Sequence, residues 1–194
     1  MIIAMFHADA SYKLVGPLCI FAIWIIGYSM VRVWPGEQSM SLSQHAAAHK
    51  KSYVLFATSL SLTGIIFYVF CIKWLIPTFH LPPLFTVLLT IGIALQMVTA
   101  FVPDKPGIMS QIHNLVAYGE AILLPIMLLI LFRSTYLTTF ARATAILAAG
   151  LELSYVIMFI GVKSLREHYL LYQSSYIVIF HIAILMSVFF GARG

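Results

Sequence analysis

The sequence predicts an all-α integral membrane bundle of six transmembrane helices. Three observations carry that expectation. The 194 residues are 62% hydrophobic and only 9% charged, with mean hydropathy +1.00, whereas a soluble domain carries about 25% charged residues. The apolar residues fall into six runs, each near the ~20 residues that a bilayer crossing requires. Turn-forming residues stand at the ends of those runs: Pro35-Gly36, Pro77, Pro82-Pro83 and Pro103.

The expected spans are residues 12–34, 52–76, 84–102, 112–132, 140–162 and 170–190. A backbone in hydrocarbon must satisfy its own hydrogen bonds, so each span is read as a helix. The opening run carries Asp9 and Lys13 and continues to Trp34 without a small-residue cleavage site, so it reads as the first span rather than a signal peptide. Short loops leave one domain over 1–194 and no internal repeat.

The second span should stop at Pro77. Span three should end near Val102, because Pro103 disfavours helix at itself and at the residue before it. "DKPG" then forms a turn, and Ser110 is the expected N-cap of span four, which places His113 in the first helical turn. A positive charge there opposes the helix dipole, so His113 reads as neutral and fit to accept a bond or a metal. Pro125 is a kink candidate. In the longest loop, "PGEQSMSLSQHAAAHKKS", Ser41 and Gln44 fit a capping box. The helix it starts could run directly into span two, with His45 and His49 one turn apart on one face.

Net charge is +5, from 11 Lys+Arg against 6 Asp+Glu. The basic residues lie at span ends, where they meet lipid phosphates, and no nucleic-acid signature is present. Six spans place both termini on one side, face A, with Lys13, Lys73, Arg133, Arg142 and Arg193. The opposite side, face B, has Arg32, Lys50, Lys51, Lys105, Lys163 and Arg166. Five against six leaves the orientation undecided, and dual insertion stays open. The expected setting is a prokaryotic cytoplasmic membrane. Membrane lipids are the expected partners, with a second copy of the chain or another membrane protein as a further option. Cys19 and Cys71 fall near the same face; no CxxC is present, and apolar packing is favoured over a disulfide.

Polar residues within the apolar runs are costly and mark function by default. They are Gln96, Glu120, Glu152 and His181, joined at the face B rim by Asp104, His113 and Asn114. Glu120 stands seven residues after His113, on the same helix face and about 10 Å deeper. The candidate pocket therefore comprises Gln96, Asp104, His113, Asn114, Glu120, Glu152 and His181. Asp104, His113 and Glu120 are the candidates for chemistry.

The run "ALQMVTAFVPDKPGIMSQIHNLVAYGEAILLP" resembles domain-of-unknown-function family 998, six-span membrane proteins of bacteria and archaea. Phe101, Pro103, Asp104, His113 and Asn114 carry the resemblance, with Val102 standing where the family has Phe directly before Pro. The DRAM/Frag-like six-span proteins look similar in the same region. The resemblance implies a fold and a polar pocket, and no assigned activity.

Three readings follow. One is a module that binds or transports a lipid, another amphipathic small molecule or a proton in the polar interior. Another is a membrane-embedded lipid hydrolase, with zinc on His45, His49, Asp104 and His113 and with Glu120 carrying protons. Ceramidase-like and progestin-receptor-like hydrolases are the analogy, although their HxxxH pair comes late in the chain and "HAAAH" comes early. The third is structural or partner-binding: each polar group satisfies a neighbour, and His45 and His49 are solvated loop residues. The last span has no Lys for retinal, His113 and His181 differ in depth and so do not pair around a haem, and no GxSxG supports Ser59 or Ser61 as a nucleophile.

Overall fold

The computed structural model describes residues 8–105 and 107–191. Pro106 of the expected turn and Arg193 of face A lie outside the described residues, as does the Arg166 side chain.

The helices are α1 (Val15–Val33), α2 (Leu42–Ala48), α3 (Lys50–Phe70), α4 (Ile76–Phe79), α5 (Pro83–Phe101), α6 (Ile108–Phe132), α7 (Thr139–Gly161) and α8 (Tyr169–Phe190). Among the described residues six continuous helical stretches are long and apolar enough to cross a membrane: Ala10–Val33, Lys50–Phe79, Pro83–Phe101, Ile108–Phe132, Thr139–Gly161 and Tyr169–Phe190. The expected all-α bundle of six spans is what forms.

Consecutive spans pack side by side, α1 on α3, α3 on α5, α5 on α6, α6 on α7 and α7 on α8, and α8 closes the ring by touching α1 and α6. The core is aliphatic and aromatic, centred on Phe67, Phe70, Trp74, Phe79, Leu128 and Ile184. Outside, Leu18, Ile25, Leu115, Ile157 and Leu171 are exposed. An exposed apolar surface distributed all around a helical bundle suits lipid rather than water.

Two boundaries differ from the expectation for identifiable reasons. The second span does not stop at Pro77. Residues Cys71–Leu75 form a π-helical turn, and the helix resumes as α4 with Pro77 in its first turn, a position where a missing N–H costs little. The Lys73 carbonyl, which an α-helix would bond to residue 77, accepts instead from the Asp9 N–H at 3.1 Å. The stretch ends in a left-handed His80 (φ 47°, ψ 48°), with the Leu81 N–H bonded back to the Ile76 carbonyl at 3.1 Å, the Schellman closure.

The fourth span also begins early. Its N-cap is Gly107, at φ 112°, a conformation glycine adopts without steric penalty. Ser110 is therefore inside the first turn, and His113 stands in the second.

The capping box forms as expected: Ser41 Oγ accepts from the Gln44 N–H at 3.1 Å, and Gln44 Oε1 accepts from the Ser41 N–H at 2.9 Å. The helix does not run on into α3. His49 is extended (φ −133°, ψ 135°), so α2 folds back over the face B end of α1, α3 and α8. The Leu42 N–H donates to Gln173 Oε1 at 2.8 Å, and the Leu170 N–H to the Gln38 carbonyl at 3.1 Å. The break separates the two histidines. His49 is exposed, while His45 is buried against Gly36; a Cβ on Gly36 would meet the imidazole at 2.4 Å. His45 is thus a packed residue, not a solvated one. Cys19 and Cys71 are both free and buried, and the Cys19 thiol donates to the Thr63 carbonyl at 3.1 Å.

Candidate functional site: polar groups inside the bundle

The α5–α6 turn is built around Asp104, which is only 8% exposed. Its Oδ1 accepts from Ser110 Oγ at 2.6 Å, and Ser110 Oγ accepts from Asn114 Nδ2 at 3.2 Å. These three residues form a chain across the first turn and a half of α6. His113 turns elsewhere: its Nδ1 lies 2.7 Å from the Val102 carbonyl. A carbonyl only accepts, so Nδ1 carries the proton of this bond. Asp104, Ser110, Asn114 and His113 thus tie the turn to itself.

Deeper in the membrane a second group forms where α6, α7 and α8 meet. Glu152 of α7 is 0% exposed, and neither carboxylate oxygen has a hydrogen-bond partner among the described residues. Tyr176 of α8 donates its hydroxyl to the Ala121 carbonyl on α6. Glu120 is the residue before Ala121 on α6, so the Tyr176 hydroxyl is bonded to the backbone beside it. Next to it, toward face B, Tyr155 of α7 stacks on Tyr172 of α8 with ring centroids 4.5 Å apart.

The remaining candidates are ties between helices. Gln96 Nε2 donates to the Leu60 carbonyl at 2.9 Å, its carboxamide seated on Gly64, where a Cβ would stand 2.9 Å from Nε2. That contact holds α5 against α3. His181 Nδ1 accepts from the Trp24 indole N–H at 2.9 Å, which joins α8 to α1 and closes the ring. Gln96 and His181 thus serve different seams, α3–α5 and α1–α8, and each has its own partner.

Among the described residues no three His, Cys, Asp or Glu side chains gather closely enough to hold a metal ion. His45 is packed on Gly36, His49 is exposed on the far side of the helix break, and Asp104 and His113 bond within their own turn.

Sequence reasoning did not single out Tyr176 or Trp24. The available signal was chemical: a tyrosine or tryptophan within an apolar run needs a partner for its polar atom, and Tyr176 precedes His181 in the same helix.

These features define a class, a polytopic α-helical membrane protein with ionisable groups in its interior. No protein-family model, no curated protein and no solved structure matches the chain.

Proposed function

We propose that this protein is a membrane-embedded binding or transport module whose ionisable centre is the Glu120–Tyr176–Glu152 group, with the proton as its ligand. The observation that supports this most is Glu152, wholly buried with both oxygens unpartnered among the described residues. A lone carboxylate charge in such a place costs several kcal/mol, so a proton or another cation accompanies it. Glu120 gives the proton a second carboxyl, and it stands on the face that leads seven residues back to His113. His113 stands at the rim with Nδ1 engaged by the Val102 carbonyl, which leaves Nε2 to exchange a proton. A rim histidine followed by interior carboxyls is the residue order a proton path in a membrane uses.

The test is labelling by an apolar carbodiimide, which adds to a carboxylic acid within lipid. Glu152 should be modified in membranes, with the yield falling as pH rises, and a water-soluble carbodiimide should leave it unmodified. No apolar labelling of Glu152 at any pH overturns the proposal.

The reading in which a lipid or amphipathic molecule sits in the Asp104–His113 pocket has less support, since those side chains are engaged with the turn itself. The reading with zinc on His45, His49, Asp104 and His113 also has less support, since His45 packs on Gly36 and a helix break at His49 separates the two histidines.

A further inference from the structure

A groove lies at face A, at the opposite end of the bundle from Asp104 and His113. It opens between the α4–α5 turn and the loop from α6 to α7, with a volume of about 380 Å³. Phe79, Leu81, Leu84 and Ile130 give it an apolar floor, and Arg133 stands at its edge. Arg133 is exposed and has no ion pair or side-chain hydrogen bond among the described residues. The other arginine of this loop region is already engaged: Arg142 Nε donates to the Phe132 carbonyl at 3.0 Å, and its guanidinium lies over the Phe132 ring at 5.2 Å.

The wall of the groove is a stacked pair, His80 on Tyr136, with ring centroids 4.0 Å apart and planes at 25°. His80 is the one described non-glycine residue with positive φ, at a helix C-terminus where glycine is usual. The stack gives a reason for a side chain to be there. Ser134 fixes the opposite strand of the groove, its Oγ donating to the Phe79 carbonyl at 2.6 Å and accepting from the Tyr136 N–H at 3.3 Å. From the floor, Leu84, Val87 and Ile91 continue as exposed apolar side chains along α5, and Ile122 and Ile126 are exposed on α6, which packs against it.

We propose that this groove binds the phosphate-bearing head group of an anionic lipid. Arg133 receives the phosphate, the His80–Tyr136 stack walls in the polar head, and an acyl chain lies along the α5–α6 ridge. A free guanidinium at the end of a span, at the depth of lipid phosphates, is fitted to a two-oxygen anion. The adjoining apolar ridge distinguishes an amphiphile from a soluble anion. The site stands independently of the interior carboxyls.

The test uses the full chain in detergent, with bound lipid read by native mass spectrometry. Phosphatidylglycerol should be retained over phosphatidylcholine. Arg133→Gln should weaken phosphatidylglycerol binding about tenfold, and Arg142→Gln should leave it unchanged. Inorganic phosphate at millimolar concentration should not displace the lipid; displacement would keep the anion site and assign it to free phosphate instead. Equal binding by wild type and Arg133→Gln, or an equal loss in Arg142→Gln, overturns the proposal. Tyr136→Ala removes the stack without touching the charge and should also weaken binding. Should Arg133→Gln fail to fold, unchanged binding in Tyr136→Ala overturns the proposal by itself.

Discussion

Asp104 and Glu152 are both buried carboxyl groups in one small bundle, and they are handled in opposite ways. Asp104 sits at the rim with a hydroxyl 2.6 Å from its Oδ1 and an amide behind that hydroxyl. Glu152 sits inside, with no bond to either oxygen among the described residues. Burial is nearly equal, 8% against 0% exposed, so burial does not separate structure from function. The hydrogen-bond accounting does: a satisfied buried group holds a fold together, whereas an unsatisfied one is tolerated at a cost and marks a place where something else binds.

Substitutions at the two positions should therefore move stability in opposite directions. Asp104→Leu removes the acceptor of the Ser110 hydroxyl and leaves that buried donor without its partner. The expected loss is about 2–3 kcal/mol, seen as a lower midpoint in thermal unfolding of the detergent-solubilised protein. Glu152→Leu replaces an unpartnered polar group by an apolar one of similar size, and a gain of about 1–2 kcal/mol is expected. Destabilisation by Glu152→Leu would show that the carboxyl has a structural partner after all. Tyr176→Phe removes the hydroxyl bond to Ala121 and should cost about 1 kcal/mol, while also altering carbodiimide labelling of Glu152, which an isolated packing residue would not do.

The smallest effect belongs to a third buried group, His45, in the α2 cap outside the spans. Burial lowers its imidazole pKa below the ordinary 6.5, with a Glu37 backbone group acting in the other direction; neither ring nitrogen has a hydrogen bond of good geometry among the described residues. The open state of the cap then binds protons more readily than the closed one. The contribution of His45 to closure is complete above pH 6.5 and is lost as pH falls through the lower value of the closed state. Hydrogen exchange at the α2 amides should accelerate on acidification in wild type and much less in His45→Phe. A pH-independent exchange rate in wild type would remove His45 as the sensor.

The bundle was legible in the sequence because the bilayer imposes length and polarity on each segment, and every span lies within about four residues of its expected bounds. The misplaced ends have local causes that composition does not carry: the π-turn that lets a helix pass Pro77, and the positive φ at Gly107 that starts α6 before Ser110. The polar residues were equally visible, but their grouping was not. Gln96 and His181 stand in the same apolar runs as Glu120 and Glu152, yet a carbonyl on α3 and an indole on α1 claim them. Partners across helix seams depend on rotation about each helix axis, which periodicity fixes only loosely when nearly every position is apolar. The face A groove was invisible for a related reason: two loops 50 residues apart in sequence make it.

Difference infrared spectroscopy of the membrane-reconstituted protein between acid and alkaline pH tests the role of Glu152 most directly. A protonated-carboxyl band that shifts with pH in wild type, vanishes in Glu152→Gln and is displaced in Glu120→Gln is the expected result. A Glu152→Gln spectrum identical to that of wild type would contradict it and leave Glu152 as an inert buried side chain.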